Sequence, residues 1–120
     1  MALLTPIQLA PDAGTLDIIA QLTAAAGGGD SYYGTGADLF VVKNGGGSPI
    51  TVTITASGAD NFGIVNTAHD LTRSVAAGAV SFIVPSTMQR FRDSNGNVQI
   101  TYSGVTTVTV GVFRFPTRAV

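Results

Sequence analysis

Residues 50–56 read Ile-Thr-Val-Thr-Ile-Thr-Ala, an unbroken alternation of apolar and hydroxyl side chains. A period of two suits a β-strand with one buried face, because successive side chains point to opposite sides of a sheet but scatter around the axis of a helix. Ile50, Val52, Ile54 and Ala56 are therefore expected inward, and Thr51, Thr53 and Thr55 outward. The pattern returns at 97–102, where Val98, Ile100 and Tyr102 share a face. It returns again at 105–115, where Val108, Val110 and Val112 alternate with Thr107 and Thr109 before Phe113 and Phe115 take the opposite side. Residues 38–44 are apolar on both faces, as in a strand covered on both sides.

Turn residues separate these runs. Gly45-Gly46-Gly47-Ser48-Pro49, Ala76-Ala77-Gly78, Asp93-Ser94-Asn95-Gly96 and Ser103-Gly104 each read as a turn. Further strands are expected at 70–75 and 79–84, the second ended by Pro85, with one turn of helix over 86–91 and a loop or short strand over 58–67. Residues 16–26 fit a short helix or an extended segment. Residues 27–36, rich in glycine around Tyr32-Tyr33, read as a long surface loop. The sum is an all-β chain, a single antiparallel β-sandwich or jelly-roll-like barrel over residues 16–120. Residues 1–15 read as an extended N-terminal arm or an edge strand, since Pro6 and Pro11 oppose a helix around Leu3, Leu4, Ile7 and Leu9.

Charged residues are 11% of the chain and mean hydropathy is +0.37, whereas a soluble domain carries roughly 25% charge. The exterior must be covered by Thr, Ser, Asn and Gly, or partly hidden against neighbours, which points to life in an assembly. The longest purely apolar stretch, 39–42, falls far short of the roughly 20 residues of a membrane helix. No cationic segment with an apolar run opens the sequence, so export by the general route is not expected. Lys43, Arg73, Arg90, Arg92, Arg114 and Arg118 are scattered, without the basic stripe of a nucleic-acid binder.

Few residues are suited to catalysis. With no cysteine, thiol chemistry, disulfides and cysteine-held metals are excluded. His69 is the single histidine, no nucleophile elbow G-x-S-x-G is present, and His69-Asp70 reads as a solvated turn pair. There is no glutamate, and most of the seven aspartates fall in expected turns. Asp93-x-Asn95-x-Asn97 starts like a calcium loop but has its glycine in the wrong place and no closing Glu. The glycine clusters lack the Lys-Ser/Thr of a phosphate loop. No enzyme activity, cofactor or metal is expected. The candidate contact residues are Leu3, Leu4, Ile7 and Leu9 of the arm, the Tyr32-Tyr33 pair, and Arg90-Phe91-Arg92. Phe91 reads either as an interface anchor between two arginines or as a plug closing the end of the core.

One resemblance narrows the function. Asp38-Leu39-Phe40-Val41-Val42-Lys43-Asn44-Gly45, Val75-Ala76-Ala77-Gly78-Ala79 and the long run from Arg90-Phe91-Arg92-Asp93-Ser94-Asn95-Gly96-Asn97 through Val110 resemble a group of small tailed-bacteriophage proteins. These are encoded beside the major capsid gene and proposed to be capsid decoration, or cement, proteins. The likeness spans roughly residues 36–115, and the Tyr32-Tyr33 segment departs from it. It implies a β-sandwich on the outside of a capsid shell, commonly trimeric, with the major capsid protein and copies of itself as partners. The competing class is a carbohydrate- or receptor-binding β-module using Tyr32, Tyr33 and Tyr102 as a platform. A secreted hydrolase is a third class, disfavoured by the scarcity of acid–base residues.

Overall fold

The alternating segment lies within one of two sheets. The computed structural model describes residues 2–9, 17–35, 37–58, 69–84 and 88–115. These form the strands Ala2–Leu3 (β1), Ile7–Gln8 (β2), Thr23–Ala24 (β3), Asp30–Tyr33 (β4), Asp38–Asn44 (β5), Ile50–Ile54 (β6), Leu71–Val75 (β7), Val80–Ile83 (β8), Asn97–Tyr102 (β9) and Val108–Arg114 (β10). A 3-10 turn, Ile19–Gln21, precedes β3, and a single helical turn, Met88–Phe91 (α1), precedes β9. The first sheet has the order β1-β4-β9-β6-β7. The second runs β2-β10-β5-β8, with β3 also on β10.

The inward faces follow the period-two pattern. Tyr32, Val52, Ile54, Val98 and Ile100 from the first sheet meet Phe40, Val42, Val108, Val110 and Val112 from the second in one buried cluster. The rings of Tyr32 and Phe40 stack between the sheets, 6.4 Å apart and 4° from parallel. Thr51, Thr53 and Thr55 lie on the other side of their strand, outside this cluster. The architecture is all-β and sandwich-like.

Two features differ from the sequence reading. The sheets are mixed rather than purely antiparallel: β1 joins β4 in parallel and β2 joins β10 in parallel. Residues 2–9 thus pass from the edge of one sheet to the edge of the other, with Pro6 between the two short strands. The loop expected around Tyr32-Tyr33 is instead β4, and Asp30, Ser31 and Tyr32 are buried. Four residues between glycine clusters carry too short a pattern to register, yet pairing with β9 from Asp30↔Ile100 to Tyr33↔Asn97 gives them a strand's hydrogen bonds. Residues 16–26 resolve into the 3-10 turn and β3 over their described part. The loop or short strand expected over 58–67 lies, Gly58 apart, outside the described residues.

Strand β5 is tied by a buried polar residue at each end. At its end, the chain crosses between sheets twice, from β5 to β6 and from β7 to β8, and Asn44 holds both corners. Its amide nitrogen donates to the Ser48 carbonyl at 2.8 Å and the Val75 carbonyl at 3.1 Å, and its amide oxygen accepts from the Gly46 N–H at 3.0 Å. The Asn44 backbone accepts from Gly78 N–H and donates to the Ala79 carbonyl. Gly78 sits at φ +76°, where a side chain would be strained. Gly45 is required by contact, because a Cβ there would meet the Thr107 carbonyl oxygen at 2.9 Å.

Asn44→Ala removes three hydrogen bonds, the one to Val75 buried and the other two part-buried, and leaves their partners unsatisfied, at about 1–3 kcal/mol for each stranded buried group. Partial relaxation toward water at the turn should hold the total loss near 3 kcal/mol, read as a drop in the urea midpoint with an unchanged slope. A loss under about 0.5 kcal/mol, the range of ordinary surface changes, would show that the corners hold without it.

At the start of β5, Asp38 is buried and pairs with Arg114, its register partner on β10, through a 2.8 Å bond from Nε to Oδ1. The Thr35 N–H at 2.7 Å and the Thr35 hydroxyl also reach this carboxylate. A second Arg114 nitrogen donates to the Tyr33 carbonyl at 2.8 Å. The ion pair lies within the second sheet, and the Arg114 bond to Tyr33 ties it to the first.

Candidate functional site

The outward faces of the two sheets differ in chemistry. Register rows place Ser31, Gln99, Thr101, Thr53 and Thr72 on the outside of the first sheet, a surface mostly of hydroxyl and amide groups with Leu3 and Tyr33 exposed toward its β1 edge. On the outside of the second sheet the rows read Val80, Lys43, Thr109, then Phe82, Val41, Gly111, then Leu39, Phe113, Ile7. Lys43 is the single charge in those rows. Toward β10 this face is covered: Leu22 lies over Gly111, where a Cβ would come within 2.9 Å of it, and Phe113 beside it is fully buried. Toward the β8 edge it is open, with Phe82 61% exposed and Val80 and Val84 also exposed.

The predicted contact residues divide between core and surface. Tyr32 and Phe91 are core residues, Phe91 at 3% exposure. Leu4 packs against the core, while Leu3 points outward at 68% exposure on the same side of the first sheet as Tyr33. Ile7 and Leu9 are half-buried, and the Leu9 N–H donates to the Arg114 carbonyl. Arg90 is half-buried, and its carbonyl accepts from Gly58 N–H at 2.7 Å.

Tyr33 and Arg92 come together, though 59 residues apart in sequence. The guanidinium carbon lies 5.3 Å from the ring centroid and Nη2 donates to the phenol oxygen at 3.3 Å. Gly96 makes room for this pair: a Cβ there would fall 2.7 Å from the Tyr33 ring and 3.0 Å from Arg92. The turn carrying Gly96 is closed by Asp93. Its Oδ1 accepts from Asn95 N–H at 2.8 Å and Asn97 N–H at 3.0 Å, and Oδ2 from the Gln99 amide at 2.6 Å. Partial burial raises the Asp93 pKa, but these donors outweigh it and hold the carboxyl below its ordinary value. The turn should therefore keep its grip above the ordinary carboxylate pKa of about 3.9 and lose it as pH falls through the lowered folded value.

Two other groups are internal. The Asp30 carboxylate, fully buried, accepts the Tyr102 hydroxyl at 2.7 Å and the Ala26 N–H at 3.2 Å. The Asp70 carboxylate accepts Ala56 N–H at 2.7 Å, so it serves the backbone beside an exposed His69. Among the described residues no three metal-binding side chains converge. A cleft of about 310 Å³ at the Asn44 end is lined by Asn44, Ser48, Pro49, Ser103 and Thr106 among others, with no titratable side chain. It offers hydrogen bonds without an acid, base or nucleophile pair.

Burial drives the phenol pKa values of Tyr32 and Tyr102 well above normal. For Tyr32 the Asp38 charge adds to this and Arg114 partly offsets it; for Tyr102 the hydrogen bond and charge of Asp30 add to it. The folded state then holds two protons that the unfolded chain releases near pH 10, so stability is intact below that pH and declines as pH rises beyond it. Tyrosinate absorbance from these two side chains should appear together with unfolding in an alkaline titration. Their ionisation in a still-folded domain would overturn the burial argument.

Comparison with family models, curated proteins and solved structures finds no match for this chain. Function must be argued from its own residues.

Proposed function

We propose that this protein is a non-enzymatic structural subunit that binds the outer surface of a phage capsid, decorating or stabilising it, with the major capsid protein and its own copies as partners. It works as a homotrimer on the virion exterior. The observation that carries this reading is the difference between the two outward faces. An edge strand with Phe82, Val80 and Val84 exposed and no charge of its own is what soluble monomers avoid, and it suits a surface covered in an assembly. The hydroxyl face of the first sheet suits the solvent side. The residues that carry the decoration-protein likeness also supply β5 with its two polar ends, the 93–96 turn, and β9 with the start of β10.

Three copies held together would make the second and third contacts with a shell effectively intramolecular, so weak single contacts can sum to lasting attachment. The folded-over hairpin β5 to β8, with β5·β8 in one sheet and β6·β7 in the other, favours the jelly-roll-like form of the fold. Leu3, Leu4, Ile7 and Leu9 are the arm residues in this reading. They are held by two-residue parallel pairs that a partner could replace. Deleting residues 2–10 should weaken attachment while the remaining strands stay folded; loss of folding would assign the segment to the core alone.

The test is co-sedimentation with purified capsids, paired with light scattering of the free protein. Saturable binding and a trimer mass support the proposal. A monodisperse monomer at high concentration that stays in the supernatant overturns it. Phe82→Asp should change folding stability by no more than about 0.5 kcal/mol, as an exposed substitution, yet abolish the trimer; an unchanged trimer would move the interface elsewhere. The glycan-binding alternative has less support, since of Tyr32, Tyr33 and Tyr102 only Tyr33 is exposed, and its ring already engages Arg92.

A further inference from the structure

The sequence has two Asn-Gly steps, Asn44-Gly45 and Asn95-Gly96, and the fold treats them oppositely. Glycine after asparagine leaves the side-chain amide carbon open to attack by the next backbone nitrogen, because no Cβ stands in the way. Asn44 is buried, and both atoms of its amide are held by three hydrogen bonds. Asn95 is exposed at the tip of the 93–96 turn, and among the described residues its side-chain amide makes no hydrogen bond; only its backbone N–H is engaged, by Asp93. The attacking nitrogens are matched, since Gly45 N–H donates to the Thr107 carbonyl at 2.9 Å and Gly96 N–H to the Asp93 carbonyl at 3.0 Å. The difference between the two sites therefore lies in the amide under attack.

We infer that Asn95 is a site of spontaneous deamidation in the folded protein, and that Asn44 is protected until the domain unfolds. The Gly96 nitrogen, after losing its proton to solvent, bonds to the Asn95 side-chain carbonyl carbon. The bond from that carbon to the amide nitrogen breaks, and ammonia leaves with a proton from solvent. Water then opens the cyclic imide at either carbonyl, giving aspartate or isoaspartate, with no redox change. Either product makes the formal net charge one unit more negative than −1 and sets a carboxylate on the residue before Gly96, against which the Tyr33–Arg92 pair packs. The isoaspartate also lengthens the backbone inside a turn whose ends are tied by Asp93 N–H to the Asn97 carbonyl and Asn97 N–H to the Asp93 carboxylate, loosening the support under Tyr33.

The experiment ages the intact protein in mildly alkaline buffer and follows both sites by tryptic peptide mapping, which separates the peptide beginning at Asp93 from the one beginning at Asn44. The amide-to-acid mass change and the isoaspartate signature should accumulate at Asn95. Asn44, reacting only through the rare unfolded state, should convert more than about a hundredfold more slowly. In urea the two rates should converge. Asn95→Gln should abolish the conversion at that peptide and leave the melting temperature unchanged. Equal rates at the two sites in the folded protein, or an Asn95 that reacts only in urea, would overturn the inference.

Discussion

Arg114→Ala is expected to destabilise the domain by about 3–5 kcal/mol, because it strands a buried carboxylate. Asp38 is 1% exposed at its side chain, against 27% for Arg114, so water cannot replace the lost guanidinium. Thr35 supplies two donors to Asp38 but no charge. A domain with about 5–15 kcal/mol in total would lose about a fifth or more of its stability, with the melting temperature falling by roughly 4 °C for each kcal/mol. Adding Asp38→Asn should recover most of the loss, since the amide needs no counter-ion. A single-mutant cost below about 1 kcal/mol, the range of exposed ion pairs, would mean that the pair is solvated.

Phe91→Ala should cost a similar amount, about 3–5 kcal/mol, through lost burial and the cavity it leaves. At 3% exposure the ring belongs to the central cluster, closing the core at the end where α1 meets β9. Chemical denaturation is the direct measurement. Under the capsid-binding proposal, occupancy measured well below the melting point should follow the folded fraction; occupancy that falls while the melting temperature holds would make Phe91 a contact residue instead. Arg92→Glu separates the surface from the core here. It should leave the core intact and remove the cation from the Tyr33 ring, and under the capsid-binding proposal reduce attachment.

The β-runs with several repeats of the two-residue period were legible from sequence. Residues 38–44, flanked by Asp and by Asn-Gly, were bounded correctly, and the inward set Ile50, Val52, Ile54 was read directly. What escaped was decided by tertiary pairing. Asp30-Ser31-Tyr32-Tyr33 has one full period of pattern between glycines, and becomes a strand only because β9 offers it an edge. The site divided in the same way. Neighbouring residues point to opposite faces in a strand, so Tyr32 entered the core while Tyr33 met Arg92. Nothing local signalled that 59-residue encounter, although Gly96, the one residue type that leaves room for the ring, was visible as a turn glycine.

The parallel pairing of β2 with β10 has a consequence in time. Gln8 meets Arg114, 106 positions further along the chain, and contacts closed over such lengths form slowly because the intervening loop must be ordered first. On the ribosome, residues 7–8 emerge long before their partner exists, so the seam between the two sheets at this edge can be sewn only after β10 is released. Until then β10 offers no edge and the apolar face over Gly111 is unfinished. A nascent chain of this kind should close this seam abruptly, once β10 is free to pair, rather than gradually during synthesis.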